Sequence, residues 1–103
     1  MQSPSTPWYQ LPASRLGEGG LTLILLTREG ELPLYGRGVS DLYRMLTQSP
    51  HLLHGSWVVD KVVGKGAAAL MILGGVERLY TPLISHSALA LLEKSSVEVV
   101  YEE

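Results

Sequence analysis

Apolar and polar positions along this chain recur with two different periods, and the switches between them mark out its elements. Leu21–Thr27 and Glu31–Tyr35 are short β-like runs flanking Arg28-Glu29-Gly30, the spacing of a hairpin whose glycine supplies the turn conformation. Pro33 has no N–H to give to a ladder, which places the second run at a sheet edge. Val39, Leu42, Tyr43 and Leu46 then recur at helical spacing. They predict a helix near Asp41–Gln48, capped by Ser40 or a neighbour after Gly36 and Gly38 and ended by Ser49-Pro50. Ser56–Val59 reads as a buried strand, Val62–Leu73 as a helix stopped by Gly74-Gly75, and Val76–Thr81 as the next strand. Ser85 is a good N-cap for a helix over His86–Lys94, and Val97–Tyr101 forms a fifth strand.

The stretch Trp57–Gly75, WVVDKVVGKGAAALMILGG, is the most distinctive. A β-like run ends in Asp60-Lys61 and passes into a helix whose one charged side chain is Lys65. A helix with so little polar face is expected to be buried against a sheet. The strand-helix-strand-helix-strand alternation implies parallel pairing, and the whole reads as a three-layer α/β/α sandwich around a five-stranded mixed sheet. Residues 1–20 hold three Pro, three Ser and three Gly without periodicity and read as a flexible leader outside the core. Within it, Trp8 and Tyr9 are the residues that could dock on the body or on a neighbouring subunit. Residues 21–103 then form a single domain, in keeping with a total length of 103.

A hydrophobic fraction of 46% with only 17% charged residues describes a well-packed globule with little surface charge to hold copies apart, so a homo-oligomer is expected. The net charge of −2 lacks the basic footprint of a duplex-binding protein. With no Cys there is no disulfide, thiolate nucleophile or thiolate metal site. The longest apolar run, Ala67–Leu73, is far too short to cross a membrane, and a cytoplasmic location is expected.

In open α/β sheets, ligands sit beyond the carboxyl ends of parallel strands, at the N-termini of the following helices. One such end carries Asp60, Lys61, Gly64, Lys65 and Gly66. The other carries Thr81, Pro82, Ser85, His86 and Ser87. The two lysines and the free backbone N–H groups suit a phosphate or carboxylate, and Asp60 suits a ribose hydroxyl or the work of a base. A purely structural account competes: Asp60 caps the helix or pairs with Lys61 or Lys65, and the glycines permit close packing. Gly64-Lys65-Gly66 is not a Walker A loop, because Val59 stands where that motif needs Gly and Gly66 where it needs Ser or Thr. His51 and His54 have a helical metal spacing but follow Pro50 in an expected loop and lack a third ligand, so no metal or cofactor is expected. Adjacent Ser85, His86 and Ser87 face different directions and form no catalytic relay.

VVDKVVGKGAAALMILGGVERLYTPLISHSALALLEKSSVEVVY resembles the core of domain-of-unknown-function family 1893, a small prokaryotic family with a cytidine-deaminase-like fold. The resemblance runs from about Leu21 to Tyr101 and is most specific in D-K-V-V-G-K and the following alanines. It implies strand order 2-1-3-4-5 with the first strand antiparallel to the others. Zinc deaminases place a His or Cys and a Glu at one helix start and two Cys at the next. Here those starts carry Val62-Val63-Gly64-Lys65 and Ile84-Ser85-His86-Ser87, so the zinc set is not there. Against the family pattern, the segment before Leu21 reads as extra, and Glu103 falls where relatives are expected to continue.

The expected function is therefore binding of a small anionic or nucleotide-like ligand by a zinc-free deaminase-like domain, through Asp60, Lys61, Gly64, Lys65, Gly66, Thr81 and Ser85. The alternatives are a metal-independent enzyme using Asp60 or Lys65 as base or nucleophile, and a protein-interaction or regulatory subunit.

Overall fold

A computed structural model describes residues 6–103. The elements run α1 (Gln10–Ala13), β1 (Leu23–Thr27), β2 (Gly30–Leu34), α2 (Gly38–Gln48), α3 (Pro50–Leu53), β3 (Trp57–Asp60), α4 (Lys65–Gly74), β4 (Arg78–Thr81), α5 (His86–Glu93) and β5 (Glu98–Tyr101), with a 3-10 turn at Glu18–Gly20. The result is mixed α/β, with one five-stranded open sheet in the order β2-β1-β3-β4-β5. β1 is antiparallel to both β2 and β3, while β3, β4 and β5 are mutually parallel. The β1–β2 hairpin turns through Arg28-Glu29, with Gly30 at φ +119°, and Pro33 lies on the edge strand as its missing N–H requires.

Alternation along the strands sends Leu23, Leu25, Val58 and Leu79 to one face. There they pack with Leu42 and Met45 of α2, Leu53 of α3, Ala67, Ala68 and Met71 of α4, and Ala88 and Leu92 of α5. The opposite face carries Leu21, Ile24, Val59 and Tyr80, packed by Trp8, Tyr9, Ala13 and Leu16. So α2 to α5 share one face, and among the described residues α1 is the only helix on the other. Helical cover is therefore concentrated on one face of the sheet, and among the described residues the other face carries a single turn of helix and its aromatic neighbours. The leader is not loose over this span: Pro12 is buried, Trp8 meets Trp57 edge-on with ring centroids 5.3 Å apart, and Arg78 lies over the Trp57 ring at 4.4 Å. Residues 1–5 of the expected leader lie outside the described residues.

Three local expectations are corrected. α2 begins a turn early, at Gly38, because the Asp41 N–H already bonds the Arg37 carbonyl at 2.9 Å; no side chain caps it, so Ser40 is inside the helix. Its buried stripe is Asp41, Leu42 and Met45, with Val39 and Tyr43 exposed. Ser49-Pro50 ends α2, but Pro50, with no N–H to satisfy, also opens α3, which takes up His51. Finally, α4 begins only at Lys65 and is not wholly enclosed, since Leu73 is 73% exposed. Its apolar surface is shared among α2, α3, α5 and the sheet, with Gly74 fitted against Leu53 and Gly75 closing the helix at φ +77°.

Candidate functional site

The carboxyl ends of β3 and β4 are tied together beyond the strands themselves. Val63 and Ile84 form a parallel bridge, with the Val63 N–H bonding the Leu83 carbonyl at 2.9 Å and the Ser85 N–H bonding the Val63 carbonyl at 3.0 Å. That bridge fixes the starts of α4 and α5 side by side. Gly64 is extended at the head of α4, and space is open around both Gly64 and Gly66: a Cβ at Gly64 would meet nothing within 4 Å, and one at Gly66 only Val39 Cγ2 at 3.9 Å. Close helix packing therefore does not explain these two glycines.

Asp60, the last residue of β3, points the same way as Val58 and is 2% exposed. Two elements meet at it: β1 pairs with it through Leu23, and the start of α2 stands beside it through the Gly38 backbone. A Cβ at Gly38 would lie 3.4 Å from Asp60 Oδ2, and one at Gly36 would lie 3.2 Å from both carboxyl oxygens of Asp41. The two buried carboxyls are thus wrapped by a turn with no side chain at the contact points. Asp41 accepts an ion pair from Arg44 at 3.1 Å, but Oδ2 of Asp41 and Oδ2 of Asp60 are buried without a hydrogen-bond partner.

Burial without full compensation disfavours the charged form of Asp60 and raises its pKa from 3.8 to about 7. The backbone N–H groups of Val62 and Lys61 pull the other way, and the Asp41 carboxylate adds to the rise. The Lys61 N–H also bonds the Thr22 carbonyl, at 2.9 Å. A carboxyl titrating near neutrality can hold or release a proton under ordinary conditions.

The other expected site residues divide. Lys61 continues the pairing with β1, so strand alternation turns it away from Asp60, and it is exposed. Lys65 is exposed at the first position of α4. Neither lysine forms an ion pair with Asp60, and the burial that a Lys65 nucleophile would need is not there. Thr81 is fully buried, but its hydroxyl donates to the Leu83 carbonyl at 3.0 Å and accepts from the Leu83 N–H. The Ser85 hydroxyl accepts from the Ala88 N–H at 3.1 Å, as the N-cap reading requires. His86 and Ser87 are exposed on α5. Asp41, Gly36 and Gly38 are the residues sequence reasoning missed. The signal was there in Gly-Arg-Gly before a helix with an acid in its first turn, but the carboxyl contact depends on pairing between β1 and β3.

The family model described as "TM1506: Domain of unknown function (DUF1893)" matches residues 13–103. The chain belongs to the DUF1893 family. The match begins inside the segment before Leu21, so part of that segment is common to the family rather than extra. A crystal structure of a DUF1893 family protein (TM1506) from Thermotoga maritima at 2.70 Å resolution is similar, with a TM-score of 0.74 and 22% sequence identity over 96% of this chain and 68% of that one. At that identity the likeness concerns the fold alone. No curated protein matches the chain. Among the described residues no helix is long and apolar enough to cross a membrane.

Proposed function

We propose that this DUF1893 chain is a deaminase-like domain that binds a small nucleotide-like ligand at the carboxyl ends of β3 and β4, with the Asp60 carboxyl as its inward anchor. The cytidine-deaminase-like assignment draws support from the sheet order and from helices placed after β3 and β4. The residues at the two helix starts do not fit that class's zinc. Among the described residues, no three His, Asp or Glu side chains come together to hold a metal ion, and no step here is routed through one.

The observation that carries the proposal is the unpartnered Oδ2 of Asp60, buried beside the Gly38 backbone. A hydroxyl or amino group of a ligand would supply the missing donor, and Asp41 Oδ2 offers a second acceptor. Two carboxyls repel an anion, so the charged part of the ligand belongs on the outer rim. There Lys65 and the open backbone of Gly64 and Gly66 supply positive charge and close approach. Lys61 adds charge from the far side of the strand. Thr81 and Ser85, with their hydroxyls committed to backbone, shape the wall. Because Asp60 is buried beside Gly38, the ligand's donor reaches it by displacing the start of α2.

A thermal-shift screen of nucleosides, nucleotides, sugar phosphates and polyphosphates tests this. A ligand present at about a hundred times its Kd stabilises by about 2.7 kcal/mol. The expected pattern is a shift for nucleotides that Lys65→Ala weakens and Asp60→Asn abolishes. The absence of any shift in the parent chain overturns it. The near-neutral Asp60 carboxyl favours one second reading, in which it moves a proton on that ligand. Turnover of the bound nucleotide followed by NMR in the parent chain separates that reading from binding alone, since a ligand that is only bound is recovered unchanged.

A further inference from the structure

At the other end of the sheet, the β1–β2 turn, α3 and the entry to β3 enclose a cavity of about 390 Å3 that has no part in the site above. Its lining includes Arg28 from the hairpin turn, His51 from α3, and His54 with Gly55 from the connection to β3. The other hydroxyls in the lining are internally satisfied: Thr27 donates to the Gly30 carbonyl at 2.9 Å, and Ser56 to the Leu53 carbonyl at 2.7 Å. The basic groups are not. Arg15, Arg44 and Arg78 each face a carboxylate, whereas Arg28, His51 and His54 take part in none of the ion pairs among the described residues. His54 is also held in place, since its ring packs so closely on Gly75 that a Cβ there would come within 2.5 Å of it. Gly55, at φ +75° with open space around its Cβ position, leaves the cavity mouth clear.

We propose that this cavity is a separate oxyanion site, taking a small phosphorylated or carboxylated molecule between the Arg28 guanidinium and the His51 and His54 imidazoles. The planar fork of Arg28 matches two oxygens of such a group, and neutral or charged imidazoles each present an N–H. Glu29 is the one acidic side chain of the lining and opposes the ligand. The paired histidines do not read as a metal site here, because no third His, Asp or Glu joins them closely enough and Arg28 repels a cation.

Isothermal titration of the full chain with inorganic phosphate, pyrophosphate and citrate, at low salt, tests the proposal. Arg28→Ala should weaken binding by about tenfold, the cost of one charge-assisted contact, with His51→Asn/His54→Asn weakening it to a similar extent. Glu29→Gln should strengthen binding, and Lys65→Ala should leave it unchanged, which separates this site from the one at the β3 end, where Lys65 would hold the anion. Arg28 lies in an exposed turn, and Arg28→Glu with a matching thermal melt confirms that any loss is not unfolding. The proposal is overturned if none of the three anions binds, if Arg28→Ala binds as the parent does, or if Zn2+ alone binds there and Glu29→Gln weakens it.

Discussion

Tyr9 lies flat on Tyr80, with ring centroids 4.1 Å apart and planes 3° from parallel. One ring belongs to the segment before the first strand and the other to the middle of β4. The stack therefore fastens the start of the chain across the sheet face that α2 to α5 leave uncovered. Tyr80 also donates its phenol hydrogen to Glu102 at 3.1 Å, which fixes the lower ring. Tyr9→Ala should lower unfolding free energy by about 2 kcal/mol, below the range for a fully buried aromatic because Tyr9 is half-buried. Urea denaturation measures it. A loss under about 0.5 kcal/mol would mean that the stack adds no more than an ordinary surface contact.

Asp60 makes stability depend on pH in an unusual direction. Its carboxyl is raised from 3.8 to about 7, so the folded chain holds a proton that the unfolded chain gives up. The contribution to stability is full below the unfolded value and is lost as pH climbs from about 4 to about 7, by on the order of 4 kcal/mol at most. Asp60→Asn has no such proton, and its amide can donate toward Asp41. The variant should gain on the parent steadily between pH 4 and pH 8 in parallel denaturation series. A constant difference across that range would place the titration elsewhere.

Glycines at the two ends of α4 should respond with opposite signs. A Cβ at Gly74 would fall 2.2 Å from Leu53 Cδ2 and 2.7 Å from its Cγ, and Leu53 is fully buried with no room to retreat. Gly74→Ala should cost about 1–2 kcal/mol, the overpacking penalty less the gain in helix propensity. Gly66→Ala meets only Val39 Cγ2 at 3.9 Å and should gain about 0.5 kcal/mol. If Gly66 gives a ligand close access to the backbone, that more stable variant binds less well. Melting temperatures and the nucleotide screen read the two effects separately.

Ser85→Ala removes the acceptor for the Ala88 N–H and should cost about 1 kcal/mol. Ser87→Ala, whose hydroxyl meets the Ser85 hydroxyl at 3.3 Å but caps no backbone N–H, is the control, and its melting temperature should stay within about a degree or two of the parent. Equal losses for both would count against the cap.

Much of the sheet was legible because its signals are local. Pro33 marked the edge, Gly74-Gly75 the end of α4, and Ser85 the start of α5, each through a backbone property of the residue itself. The helix starts were less legible: α2 is capped by no side chain, and Gly64 opens α4 with none either. The leader misled because Pro and Gly content reports turns, not contacts, and the partners of Trp8 and Tyr9 lie far along the chain in Trp57 and Tyr80. Asp60 was legible as a carboxylate at the end of a strand, and the structure buries it there. Its companions were not, since Lys65 is near in sequence but exposed, while Asp41 is distant in sequence and buried beside the same turn.

The position of β1 has a kinetic consequence. Leu25 faces Val58 across the β1–β3 seam although β2, α2 and α3 intervene along the chain. The hairpin on one side and the parallel block from Trp57 to Tyr101 on the other can each assemble from near neighbours, and joining them requires the whole intervening stretch to close as a loop. Closure of long loops is what slows folding, so Val58→Ala should retard refolding in stopped-flow chevrons, while Leu32→Ala, on the outer strand of the hairpin, should chiefly hasten unfolding. The seam that brings Leu23 alongside Asp60 is then already in place at the slow step of folding, and burial of the carboxyl is part of that step.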